Sequence, residues 1–464
     1  MPACGSGETD RMENNVTELI ISVSGLRGIV GETLTPEIAV RYVQAFAAGL
    51  EDGPLVISQD GRATGPALAA AIRDGLFAAG RDVIDASVAA TPTTGILVRE
   101  HSAAGGIQIS ASHNPAEYNG LKLFGADGRV VPASVGQQVL DRYRSESCLF
   151  SESTRTPSSS PCEDTTTAHW EKIAAQVDVD RIRAARISVL LDANHGSGAL
   201  LGVRLLEELH CDVTLLGGVP DGQFDHQPEP TAENLSEVLD TLIGSQAAIG
   251  FCQDPDADRL AVIDEWGHYI GEEYTLALCT DHLLRKSKGP VVTNCSTSRM
   301  TQDVAARFGV AFSRSAVGEA NVADEMLRVG AVIGGEGNGG VIHPEIGYVR
   351  DSFIAMAMLL DAMAARQLPI SRLTEELPHY VMSKQKVPLE REQLADVMAR
   401  VQSHFGDAEV SALDGLRFDW PGKWVLVRAS NTEPIIRIMS EAETAGEADR
   451  LCQEVEHLIG EDSA

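Results

Sequence analysis

Short apolar runs alternate with helical segments along most of the chain, and this alternation narrows the fold more than any other feature. Leu19–Val23, Pro54–Ser58 and Asp82–Asp85 read as strands. Between them, Thr35 and Pro36 open a helix as N-cap and first-turn residue, running to about Leu50. Pro66–Ala79 is an Ala-rich helix ended by Gly80. The rhythm resumes at Ile187–Leu191, where the turn Asp192–Gly198 opens the helix Ala199–Leu209, and again at Val291–Thr293. That Gly-rich turn has no P-loop Lys-Ser/Thr, so strand-to-helix geometry accounts for it. The pattern predicts α/β sheets whose ligands gather at the C-terminal strand edge, where Arg27, Arg62 and Ser112 would lie.

At 464 residues the chain is too long for one ordinary core. The Ser/Thr/Pro-rich stretch 150–168 reads as a linker or surface loop, and composition shifts again near Pro378. We place a disordered extension at 1–16, with Met12 as an alternative start. Four domains follow, at 17–165, 166–284, 285–377 and 378–464. The N-terminus has no basic start and no apolar core, so it is not read as a secretory signal. Eight cysteines without a CxxC pair suit free thiols in a reducing cytoplasm.

The net charge of −30 repels nucleic acid and anionic lipid, and no apolar run approaches the roughly 20 residues of a membrane span. An anionic small molecule would need a local cluster of positive groups. Four loops offer candidate chemistry. In Ser110-Ala111-Ser112-His113-Asn114-Pro115, Ser112 sits on a loop between strands, with an imidazole beside it and the Lys122 amine ten residues on. It can act as a nucleophile or carry a phosphate, or the loop can be a self-capping turn. Asp254, Asp256 and Asp258 alternate and can converge on a hard cation. With Glu265 they also match the first, third, fifth and twelfth places of an EF-hand. Against that, Arg259 stands where an EF-hand needs glycine, and the flanks read as strands. The string Gly334–Gly340 lets Glu336 and Asn338 approach hydroxyls closely, or is a flexible hairpin. Arg428, Ser430, Asn431 and Thr432, with Arg437 beyond, supply donors for a phosphate dianion, or form an Asn-Thr turn.

SASHNP followed by NGLK closely resembles the active-site serine loop of the α-D-phosphohexomutases. DPDADR resembles their metal loop, GGEGNGG their sugar loop and RASNTEP their phosphate loop. The resemblance spans residues 24–437 in family order. It implies three related α/β domains plus a C-terminal α+β domain around a central active-site cleft. It also implies a phosphoserine at Ser112, and Mg2+ on Asp254, Asp256, Asp258 and the serine phosphate. Arg27 and Arg259 would then face the moving phosphoryl group. Lys122, with His113, would handle the hydroxyl proton. Glu336 and Asn338 would contact the sugar, while Arg428, Ser430, Asn431, Thr432 and Arg437 would grip the other phosphate. The reaction implied is interconversion of hexose 1- and 6-phosphates through a hexose 1,6-bisphosphate. SGLRGIVG and GGEGNGGVI are most similar to phosphoglucosamine mutases, while RASNTEP also occurs in phosphomannomutase/phosphoglucomutase relatives. Some relatives carry an acid/base histidine where this chain has Gly340; His343 is a speculative substitute. The expected partner is a small-molecule hexose phosphate, with no nucleic acid and no membrane, and the chain a monomer or homodimer. A Ser/metal phosphohydrolase and a Ca2+-binding protein are the remaining alternatives.

Overall fold

The structure is a computed structural model that describes residues 19–145, 156–430 and 434–460. The 1–16 extension lies outside the described residues. Three α/β units follow one another, each built on parallel strands with helical crossovers. In the first, Gly105–Ile109, Leu55–Gln59, Val83–Val88 and Ser159–Pro161 run parallel. Thr35 caps the helix Pro36–Ala47, its hydroxyl accepting from Ile38 N at 3.4 Å.

Arg27, expected at the end of a strand, lies within one. Gly25–Ile29 is itself a strand, hairpinned to Ile20–Ser22 and paired with Tyr118–Gly125, so that Arg27 lies opposite Gly120. The pairing fixes an arginine that loop composition alone would leave free.

The second sheet orders Leu260–Ile263, Ile249–Gln253, Ser188–Asp192 and Asp212–Leu216; the third orders Phe312–Ser315, Val291–Asn294, Ile333–Glu336 and Gly340–Ile342. One device recurs in all three units. A buried parallel strand ends and the chain doubles back antiparallel, at Gly105–Ile109 with Tyr118–Gly125, at Ile249–Gln253 with Leu260–Ile263, and at Ile333–Glu336 with Gly340–Ile342. Each hairpin turn carries one candidate loop. The fourth unit is an antiparallel sheet of five strands with the helices Leu394–His404 and Ala445–Gly460 packed together against it.

The second and third units share one hydrophobic core. At its centre lies the helix Ser352–Arg366, buried continuously from Ser352 to Met363. A helix apolar on all sides needs partners all round, and this one packs against Glu272–Lys286, Gly198–Glu208 and Val179–Ala185. Its one buried charge, Asp361, accepts from Arg181 Nε at 3.2 Å and His282 Nε2 at 2.9 Å, and is paired with Lys286. Phe353 is fully buried on this helix, edge-on to His169 at 5.4 Å between ring centres. Phe353→Ala is expected to cost about 3–5 kcal/mol, read as a lower thermal midpoint; an unchanged midpoint would contradict a shared core.

Candidate active site

Ser112 lies at the end of the fully buried strand Gly105–Ile109, with φ +51°, a backbone conformation serine seldom adopts. The loop is held by a residue that no motif singles out. Arg62 is buried, and its Nη2 donates to Ser112 O (2.7 Å) and Asn114 O (2.6 Å), its Nη1 to Pro115 O (2.5 Å) and Tyr118 O (3.1 Å). Its Nε donates to Asp60 at 3.0 Å, and the same Asp60 oxygen accepts from Ser110 Oγ at 2.7 Å. A buried guanidinium must find acceptors for its N–H groups, and the loop carbonyls supply them. The serine hydroxyl then donates to Asp254 Oδ2 at 2.7 Å, with His113 Nδ1 at 3.4 Å.

Asp254, Asp256 and Asp258 sit in the second hairpin turn, fully buried, with one oxygen from each within 4.8 Å of the others. All three α/β units grip this turn. Thr91 N donates to Asp256 O (2.9 Å), Ser197 N to Pro255 O (2.8 Å) and Ser352 Oγ to Ala257 O (2.7 Å). The Gly-rich turn at 192–198 thus serves to seat the aspartate loop. Lys122 Nζ reaches Asp256 Oδ2 (2.5 Å) and Asp258 Oδ2 (2.6 Å), Thr91 Oγ1 also donates to Asp256, and Arg350 Nη2 donates to Asp258 Oδ2 at 2.6 Å. Burial, with repulsion from Asp256 and Asp258, pushes the Asp254 carboxyl well up. Burial also works against ionised Asp256 and Asp258, but Lys122 for the first and Arg350 for the second outweigh it and hold both below the usual range. Lys122 responds in the opposite sense: burial disfavours its charge, and the two aspartates more than restore it.

Asp256 Oδ1 and Asp258 Oδ1 are buried and have no hydrogen-bond partner among the described residues. Arg259 Nε stands 3.9 Å from Asp258 Oδ1, too far for a hydrogen bond. Anionic oxygens without a hydrogen bond in a protein interior are costly, and a hard divalent cation is the group they fit. The EF-hand alternative fails on geometry. The loop joins two antiparallel strands, and Glu265 points elsewhere, accepting from Ser371.

A cavity of about 590 Å³ is lined among others by Arg27, Lys122, Arg259, Glu336, Asn338 and Arg428; Ser112, His113 and the three aspartates are not among its lining, and meet it through Lys122 and Arg259. Lys384, unmarked by any motif, adds a cation. Glu336 Oε1 accepts from Asn294 Nδ2 (2.7 Å) and Gly318 N (3.0 Å), and its Oε2 from Arg350 Nη1 (2.8 Å). Arg27 Nη1 donates to Asn114 Oδ1 at 3.2 Å, and Arg428 Nε to Asp414 at 2.7 Å. Ser430 and Arg437 do not line the cavity, and Asn431 and Thr432 lie outside the described residues. A side chain at Gly340 would collide with Arg350, which occupies that space; His343 is buried and is not part of the cavity lining.

Burial, reinforced by Arg259 and Arg27, pushes the His113 pKa down to about 2. The unfolded chain binds this proton below about pH 6.5, whereas the folded ring stays neutral, so folding loses stability as pH falls below that value. His113→Asn removes the penalty. Between about pH 8 and pH 5, bracketing the free imidazole pKa, its thermal midpoint is expected to fall less than that of the wild type. Equal falls would mean that the ring is protonated in the fold.

The sequence matches the phosphoglucomutase/phosphomannomutase domain families in order: alpha/beta/alpha domain I over residues 19–148, domain II over 167–267, domain III over 272–380 and the C-terminal domain over 383–458. A phosphoglucomutase/phosphomannomutase of Thermococcus kodakarensis is 37% identical, covering 91% of this chain and 94% of its own. A protein of Methanopyrus kandleri named probable phosphoglucosamine mutase is 33% identical over 94% of this chain and 96% of its own. The crystal structure of a phosphoglucomutase/phosphomannomutase family protein from Burkholderia thailandensis superposes with a TM-score of 0.83 at 27% identity, covering 95% of this chain and 97% of that one. The chain is an enzyme of the α-D-phosphohexomutase family.

Proposed function

We propose that the enzyme is a phosphoglucosamine mutase, acting in the cytoplasm on a small-molecule hexose phosphate by way of phosphorylated Ser112 and a hexose 1,6-bisphosphate. The observation that carries this reading is the Ser112 hydroxyl at 2.7 Å from Asp254, within a buried carboxylate triad whose partners Lys122, Arg259 and Arg350 line a cleft. Asp254, Asp256 and Asp258 would hold Mg2+, which when bound supplies neutralisation of the charge on the transferring phosphoryl group.

The first half-reaction breaks the bond between phosphorus and Ser112 Oγ and forms one to the free sugar hydroxyl; the second breaks the bond between the sugar oxygen and the other phosphoryl group of the bisphosphate and re-forms one to Ser112 Oγ. Arg27 and Arg259, both lining the cleft, balance charge on the phosphoryl oxygens. In the first the sugar hydroxyl loses its proton as the serine oxygen gains one, and in the second the exchange is reversed. Lys122, held as a cation between two aspartates, gives that proton and takes the other. His113, whose Nδ1 stands 3.4 Å from the Ser112 oxygen, orients that oxygen beside Lys122. Glu336 and Asn338 meet the sugar hydroxyls. Arg428, which lines the cleft, takes the phosphate that is not reacting, in either orientation of the bisphosphate; the resemblance to the family's phosphate loop extends that role to Ser430, Asn431, Thr432 and Arg437. A cavity of about 590 Å³ is of a size for a bound small molecule to reverse ends.

Relatives named for glucosamine and for glucose or mannose phosphates leave two substrate classes to compare. In an assay with Mg2+ and a trace of glucose 1,6-bisphosphate, kcat/KM for glucosamine phosphate is expected to exceed that for mannose and glucose phosphates by about tenfold, or about 1.4 kcal/mol in the transition state. Comparable values would instead make the enzyme a phosphomannomutase/phosphoglucomutase. Ser112→Ala is expected to reduce turnover of every sugar to background while the thermal midpoint holds. Substantial residual turnover would remove Ser112 from the mechanism.

A further inference from the structure

Arg350 belongs to none of the four candidate loops, yet it touches two of them. It is buried, and its two terminal nitrogens serve different carboxylates: Nη2 donates to Asp258 Oδ2 at 2.6 Å and Nη1 to Glu336 Oε2 at 2.8 Å. Its position is fixed from behind. Its backbone N donates to Glu319 Oε1 at 2.6 Å, its Nε stands 3.8 Å from Glu319 Oε2, and its side chain fills the space over Gly340. Glu336 is fixed in turn through its other oxygen by Asn294 and Gly318. On Asp258, Arg350 and Lys122 hydrogen-bond Oδ2, while Oδ1 has no hydrogen bond and only the more distant Arg259 Nε at 3.9 Å, so the pair on Oδ2 decides how the carboxylate is turned. A planar guanidinium offers its N–H groups in a fixed fork, so the two carboxylates cannot shift independently.

We propose that Arg350 is a positioning residue that couples sugar recognition to metal binding: ligand at Glu336 reorients Arg350, and Arg350 reorients Asp258 toward the cation. The inference rests on the reading of the aspartate triad as the metal site and of Glu336 as a sugar contact. Coupling of this kind is reciprocal, so sugar phosphate tightens metal binding by the factor by which metal tightens sugar phosphate. Glu336 makes no hydrogen bond or ion pair with the three aspartates among the described residues, which makes it a clean lever: an effect of Glu336 on metal affinity has to travel through Arg350.

The test measures Mn2+ affinity of the full chain by electron paramagnetic resonance, with and without saturating glucose 1-phosphate, in wild type, Arg350→Lys and Glu336→Gln. Lysine keeps the charge but not the fork; Glu336→Gln leaves Arg350 in place and guards against a fold defect in the first variant. In the wild type, glucose 1-phosphate is expected to tighten Mn2+ binding by about fivefold or more, within the usual span of coupled sites. In both variants the tightening is expected to fall below about twofold. Wild-type coupling retained in Glu336→Gln, or no coupling in a wild type that binds Mn2+, overturns the proposal and leaves the metal site standing. A wild type that binds no Mn2+ overturns the metal reading itself, and the proposal with it.

Discussion

Three carboxylates withdrawn from water within a few ångströms of one another set the terms for the rest of this molecule. Desolvation and mutual repulsion make such a group untenable without cations at close range. The chain meets the need from separate parts of its sequence. Lys122 comes from the first sheet, Arg350 from the loop before the buried helix, and Thr91 adds a hydroxyl. What these donors leave over is as informative as what they satisfy. One oxygen each on Asp256 and Asp258 remains without a hydrogen-bond partner among the described residues, in the cluster where Ser112 meets Asp254. The catalytic proposal and the folding constraint are therefore one electrostatic problem.

The threefold hairpin explains how distant segments arrive at one cleft. In each α/β unit a buried parallel strand ends where ligands of such sheets gather, and the antiparallel return strand keeps the turn short. The serine, aspartate and glycine loops are three versions of that turn. The shared core around Ser352–Arg366 fixes the second and third units relative to each other, and Thr91 ties the first unit to the aspartate loop. The fourth sheet adds Lys384 and Arg428 to the lining.

Much of this was legible in the sequence because it is local. Asp254, Asp256 and Asp258 stand within one turn, Ser112 and Lys122 within one hairpin, and Glu336 and Asn338 within one glycine string. The residues that organise these groups were not legible, because their partners are far away in the chain. Arg62 meets Ser112 across fifty positions and Arg350 meets Asp258 across ninety-two. Arg62 could be placed at the sheet edge from the strand pattern, but nothing in it indicated the fan of carbonyls it holds. Spacing also misled where it was read without backbone: Glu265 fits an EF-hand by count, yet a β-hairpin sends it away from the triad toward Ser371. The continuous apolar run of Ser352–Arg366 could be read as a buried helix, but not as the centre of a core shared by two units.

The central claim is that Ser112 carries the phosphoryl group. The most direct measurement is peptide mapping by mass spectrometry after incubation of the purified enzyme with Mg2+ and glucose 1,6-bisphosphate, then after a chase with hexose phosphate. This account expects a single phosphoryl group on Ser112 that the chase discharges. Mutase turnover with Ser112 unmodified, or with the phosphoryl group on another residue, would contradict it.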